Sequence, residues 1–192
     1  MKLLTFLTIF ALALPVAGAA AAAEAAAPAH RVELKAAQGS PLPYTIEVPA
    51  DWQVRQIAGF PGLWIGPADA KPPEDPRLIW VHGSQVPLGD PAEIVKNIKV
   101  NDEKSPDWSA PRAEVRDLGG VKGVLWQMDS GTGDKAKSVL TLKMPLAAMK
   151  TFVDFSASGS PAEFARMLPV YERALLSVRP AAPAPAAPAK KK

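Results

Sequence analysis

The sequence predicts an α+β domain: an antiparallel sheet of about 6–8 strands sandwiched by helices. Three observations lead there. Short segments of period-two alternation, separated by Gly and Pro turns, make up most of the chain. Only two segments carry helix-start signals, at Asp90-Pro91 and at Ser160-Pro161. The order is strands, one helix, strands, one helix, with hairpins dominating, and not the strict alternation of a doubly wound parallel sheet.

Residues 31–37 (RVELKAA) alternate apolar and polar side chains and are expected as the first strand. Gln38-Gly39-Ser40-Pro41 reads as a turn. Tyr44, Ile46 and Val48 then alternate with Thr45 and Glu47 as a half-buried strand, which Pro49 ends. Short strands follow over 53–57 and 63–66, with GFPG at 59–62 turning the chain between them. Residues 68–76, rich in proline and charge, read as a loop. Residues 77–84 (RLIWVHGS) are apolar on both phases for much of their length, the pattern of a central strand covered on both sides.

A helix is expected from Asp90 to Lys99, with Asp90 as cap, Pro91 at the first position and Glu93 completing a capping box. Residues 101–111 read as a polar loop containing Trp108. Strands over 114–118 and 121–130 should meet across Gly119-Gly120, a two-residue hairpin signal. GTGD at 131–134 turns into a strand over 137–144, and a last strand spans 150–158. Ser160-Pro-Ala-Glu163 is a second capping box. Phe164, Met167, Leu168, Tyr171, Ala174 and Leu175 recur at helical spacing behind it, and Pro169 should kink that helix.

The ends have a different composition. Lys2, the apolar run 3–16 and Ala17-Gly18-Ala19 have the order of a cleavable signal peptide over 1–19, with cleavage sites available up to about residue 27. Pro15 interrupts the apolar run, which argues against a retained membrane span. No cysteine follows the run, so no lipid can be attached there. Residues 20–30 read as an Ala/Pro-rich flexible lead-in, 31–179 as the single domain, and 180–192 as a disordered Pro/Ala/Lys tail. The expected location is therefore periplasmic or secreted. Without cysteine the domain must be held by burial alone.

Charge excludes one class of partner. Setting aside Lys2, Lys190, Lys191 and Lys192 from 22 basic residues, and Glu24 from 19 acidic ones, leaves 18 of each. The body is formally neutral, without the basic clustering that nucleic-acid binding requires.

Chemistry-bearing patterns are sparse. His82, beside Gly83 and Ser84, is the natural centre of a hydrolase reading, but no G-x-S-x-G elbow supplies a nucleophile. With no cysteine and one histidine inside the domain, neither a zinc set nor a calcium-loop spacing is present. Gly131-Thr-Gly-Asp-Lys135 lacks phosphate-loop spacing and leads into a strand. No catalytic, cofactor-binding or metal residue is assigned, and no cofactor is expected. Of five tryptophans, Trp64, Trp80 and Trp126 are expected in the core, and Trp52 at one edge of the sheet. Trp108, in its polar stretch, is the candidate partner-binding residue, unless it folds back on the domain.

The run from Tyr44 to Trp52 (YTIEVPADW) resembles the strand-Pro-x-x-Trp entry of the PsbP-like superfamily, including its DcrB-like exported relatives. Pro61-Gly-Leu63 through Pro67, the strand at 78–81, Ile94-Val95 and the closing stretch 152–180 fit the same order of elements. The resemblance spans residues 31–180. It implies an antiparallel sheet between helices, an envelope or lumenal compartment, and a non-catalytic role, in some relatives as an accessory or assembly factor for membrane complexes. It carries over no functional residue. The expected function is an exported, non-enzymatic accessory, assembly or binding factor for an envelope protein or complex, without stable membrane insertion after cleavage. A small-ligand carrier with an apolar pocket is the alternative, and a hydrolase centred on His82 the second.

Overall fold

In the computed structural model, residues 28–35, 41–56, 62–73 and 75–182 are described. The segment expected as a signal peptide, the turns expected around Gly39 and Phe60, and the stretch expected as a tail beyond residue 182 lie outside them. The described residues form ten strands and two helices in the order β1 (Ala29–Lys35), β2 (Pro41–Pro49), β3 (Trp52–Arg55), β4 (Leu63–Pro67), β5 (Ile79–Pro87), α1 (Pro91–Asp102), β6 (Trp108–Asp117), β7 (Lys122–Ser130), β8 (Lys137–Leu146), β9 (Thr151–Gly159), α2 (Pro161–Leu176) and β10 (Arg179–Pro180). This is the α+β class expected.

Seven strands form one antiparallel sheet in the order β3-β4-β5-β9-β8-β7-β6. After β5, α1 carries the chain to the far edge, and the meander β6–β9 returns until β9 pairs with β5. A smaller sheet, β1-β2-β10, caps the molecule. Its first strand begins at Ala29, inside the segment expected as flexible lead-in, because Ala29 and His30 pair with Pro49 and Val48.

The core lies on one face of the large sheet, between it, the small sheet and α2. Ile65, Ile79, Val81, Leu125, Leu140, Leu142, Val153 and Phe155 meet Ile46, Val48, Met167, Tyr171 and Leu175 there. Ser177 fastens the layers, its Oγ accepting the Glu47 N–H at 2.7 Å and donating to Ala174 O at 2.6 Å. Trp52 is fully buried in this core from the edge strand β3. Pro169 stays inside α2, on its exposed face.

Local signals held in different degrees. Gly119 and Gly120 have φ of +73° and +83°, as a tight hairpin of this type demands. Asp90 caps α1 by accepting the Ala92 N–H at 2.9 Å, but Glu93 pairs with Lys96 and does not close the box. Ser160 makes no backbone cap either, since its hydroxyl donates to Glu163 at 2.7 Å. The polar stretch 101–111 is shorter as a loop than expected, because α1 runs on to Asp102 and β6 starts at Trp108. Pro111 is tolerated in β6 because it sits at a register shift on an edge strand.

Candidate functional site

Side chains alternate across a sheet, so burying one phase of each strand commits the other to the opposite face. Leu63, Val81, Phe155, Leu142 and Leu125 form one inward row. The neighbouring outward row reads Trp64, Trp80, Ser156, Thr141, Trp126 across β4, β5, β9, β8 and β7. Trp80 and Trp126 therefore leave the main core, contrary to expectation, and are half-buried on the outer face. Trp64, at 7% exposure, belongs with Leu78 and Ala70 to a small second cluster there. The β5 strand is covered on one side only.

The helix α1 lies against β6 and β7, with Ile94, Val95 and Ile98 half-buried along one of its sides. Over β4, β5, β9 and β8 the outer face opens into a groove of about 700 Å³. Its aromatic floor is a stack: Trp64 and Trp80 lie 5.5 Å apart and nearly parallel, and His82 lies 3.9 Å from Trp80. Ser156 and Ser158 continue the floor, and Lys135, Lys137, Asp75 and Glu163 stand at the rim.

One wall is held rigidly. Asp75 accepts the Arg77 N–H at 2.9 Å and its guanidinium at 2.9 and 3.0 Å, and Arg77 also pairs with Asp69 at 3.2 Å. The side-chain hydrogen bonds from Arg77, opposed by burial, lower the Asp75 pKa to about 2, so this carboxylate stays charged. A second, shallower groove of about 450 Å³ shares Ala136 and Lys137 with the first and is lined by Trp108. Trp108 is half-buried at the start of β6, its ring edge-on to Trp126 at 6.5 Å, so it is folded onto the domain and not held out on a loop.

His82 is placed at the groove, but its ring nitrogen Nδ1 lies 3.0 Å from its own neighbour's carbonyl, Gly83 O. The carboxylate and hydroxyl nearest in the pattern are engaged elsewhere. Asp154, opposite His82 in the register, bonds Lys143 Nζ at 2.6 Å, and the same ammonium donates to Ser84 Oγ at 2.9 Å. Both charged side chains are only 9% exposed. Ser84 therefore accepts a proton donor where a nucleophile would need a base. Sequence reasoning missed this cluster; its signal is a lysine and an aspartate of opposite charge in the apolar strands 139–146 and 152–157.

A third, apolar groove of about 570 Å³ lies at one end of the sheet, between Leu42, Tyr44, Val121, Leu146, Met149 and Pro180. Among the described residues no cluster of His, Asp or Glu could hold a metal ion, and no helix is long and apolar enough to cross a membrane. Gly131–Lys135 forms the β7–β8 turn, with a short 3₁₀ turn at Gly133–Lys135.

No protein-family model matches the sequence, and no curated protein matches it. Solved structures do. Cyanobacterial PsbP (CyanoP) of Synechocystis is 17% identical with a TM-score of 0.50, over 80% of this chain and 93% of that one. LpqN of Mycobacterium tuberculosis, involved in cell envelope biogenesis, is 13% identical with a TM-score of 0.50, over 79% and 90%. At such identities the likeness is one of fold. This chain has the PsbP-like fold, the α+β architecture that the strand-Pro-x-x-Trp entry at Tyr44–Trp52 and the closing helix imply.

Proposed function

We propose that this chain is an exported, non-catalytic accessory or assembly factor that captures an extended segment of an envelope protein on the open outer face of its sheet. The observation that carries the reading is the groove over Trp64, Trp80 and His82, an aromatic floor with a polar, charged rim on the half of the face that α1 leaves bare. Aromatic side chains with polar surroundings are the commonest anchors of protein interfaces. The signal-peptide order of residues 1–19 and the fold shared with an envelope-biogenesis protein support the compartment. Trp108, at the far end of the contiguous second groove, extends the same surface. The Lys143–Asp154–Ser84 contacts, which engage the polar groups around His82, favour a structural over a hydrolytic role for that cluster.

The test is a photo-crosslinking amino acid at Ser158 on the groove floor, with the same probe at exposed Lys96 on α1 as control. In the native envelope, a discrete adduct is expected from position 158 and not from 96. It should weaken at least tenfold in Trp80→Ala and to a lesser degree in Trp108→Ala, each checked for an intact fold by its melting curve. Equal adducts from both positions, or none from 158, would refute the groove as the capture surface.

A further inference from the structure

The apolar groove at the end of the sheet is walled by residues with few hydrogen-bonding groups to spare. Its lining includes Pro43, Pro145 and Pro180, which have no N–H. Carbonyls along the wall already have donors. Pro43 O accepts the Ala181 N–H at 2.9 Å, Pro145 O the Tyr44 hydroxyl, and Ala147 O the Lys150 N–H at 3.1 Å. A peptide added to a sheet draws its affinity from main-chain hydrogen bonds, which this wall is poorly placed to supply. A hydrocarbon chain needs none, and about 570 Å³ is the size of a small-ligand site.

The charges beside the groove have one sign. Residues 42–46, 120–125, 144–153 and 180–182, which form the wall, hold two charged side chains, Lys122 and Lys150. Each directly follows a lining residue, Val121 and Met149, and both are exposed. Lys150 sits in a left-handed turn (φ 52°), its carbonyl accepting the N–H of Leu88, from the loop after β5, at 2.9 Å. Asp117, opposite Lys122 in the register, accepts the Gly120 N–H at 2.8 Å. A second copy docked about a twofold axis would bring these lysines near their own counterparts, and like charges oppose that. We propose that the groove binds a free fatty acid, its alkyl chain along the apolar wall and its carboxylate at Lys122 and Lys150. Met149, 70% exposed and part of the lining, supplies a flexible apolar side chain that adapts to the chain beneath it. Each buried methylene contributes about fourfold in affinity, and each exposed ion pair roughly threefold. This site is separate from the aromatic groove and takes a different class of ligand, so either can fail without the other.

The experiment is titration calorimetry of the whole protein with octanoate, decanoate and dodecanoate, each below its micelle concentration. Affinity should rise about fifteenfold with each two-carbon step. Decyltrimethylammonium, with the same chain length as decanoate and a cationic head, should bind at least tenfold more weakly than decanoate. The double variant Lys122→Gln/Lys150→Gln should weaken decanoate about tenfold and leave uncharged decanol unchanged. Lys96→Gln, on α1, should alter neither. Ala148→Trp fills the groove from an exposed position, so it should abolish binding of both ligands while the melting curve stays as it was. Absent decanoate binding, affinity independent of chain length, equal binding of the cation, or decanoate binding untouched by Ala148→Trp would each overturn the proposal. So would a dimer that Ala148→Trp dissociates and decanoate does not, since a second copy would then occupy the groove.

Discussion

Replacing Lys143 by Met tests how the outer face is held together. Lys143 and Asp154 face each other across β8 and β9, each side chain about nine-tenths buried, with Nζ and Oδ2 2.6 Å apart. Asp154 Oδ1 has no hydrogen-bond partner, so its desolvation is only partly offset. In Lys143→Met the short aspartate is left as an uncompensated buried charge, and the expected loss is about 3–5 kcal/mol. Asp154→Ala should cost less, about 1–3 kcal/mol, because Lys143 keeps Ser84 Oγ and its four-carbon stem can carry the ammonium outward. The double variant Lys143→Met/Asp154→Leu removes both charges and keeps apolar volume, and should lie within about 1 kcal/mol of the native protein. Urea unfolding at pH 7 measures all four corners of the cycle, and for a domain of this size each kcal/mol moves the melting temperature by about 2–4 °C. A double variant that loses the sum of the two single losses would refute the reasoning, because the two charges would then not be compensating one another.

Tyr44 is buried, donates to Pro145 O, and has its pKa raised by burial to about 12. The unfolded chain ionises near 10, so this group's stabilisation is complete below pH 10 and is lost as pH rises to 12, by about 3 kcal/mol in all; Tyr44→Phe should flatten that alkaline loss in pH-dependent urea unfolding. Asp75 has the opposite sign: its depressed pKa stabilises the protein above pH 4, and this is lost as pH falls through about 2. In Arg77→Gln its carboxyl should titrate near the ordinary value of about 4, as followed by carbon NMR, and an unchanged titration would show that Arg77 does not control it. Gly62 has φ +116°, and a Cβ there would meet Val81 O at 2.2 Å. Gly62→Ala should therefore cost about 2–4 kcal/mol in the same unfolding assay, and a loss below about 1 kcal/mol would mean that the β3–β4 connection yields without strain.

The sequence by itself was enough for the class, for most strands and for the two helix starts, because alternation, Gly-Gly and Asp-Pro act over a few residues and need no partner to be read. Phe164, Met167, Tyr171, Ala174 and Leu175 all lie on the buried side of α2, as their spacing requires. Leu168 yielded its place to Val170, since the small sheet and β9 decide which edge of the stripe is deepest. The site was far less legible. Alternation shows that Trp80 shares a phase with Leu78 and His82, and Trp126 with Val124 and Met128, but not which phase faces the core. That was decided by where α2 and the small sheet pack, which put Ile79 and Val81 inside and left Trp80 half open to water. Trp108 read as a loop residue because Pro111 and the polar residues around it hide an edge strand, whose hydrogen-bonding partner is 22 residues away at Ser130. The same holds for Lys143, Asp154 and Ser84, and for the pairing of the Leu88 and Met149 loops. Such contacts join residues far apart in the chain, and only the register of β5, β8 and β9 brings them within a hydrogen bond of one another.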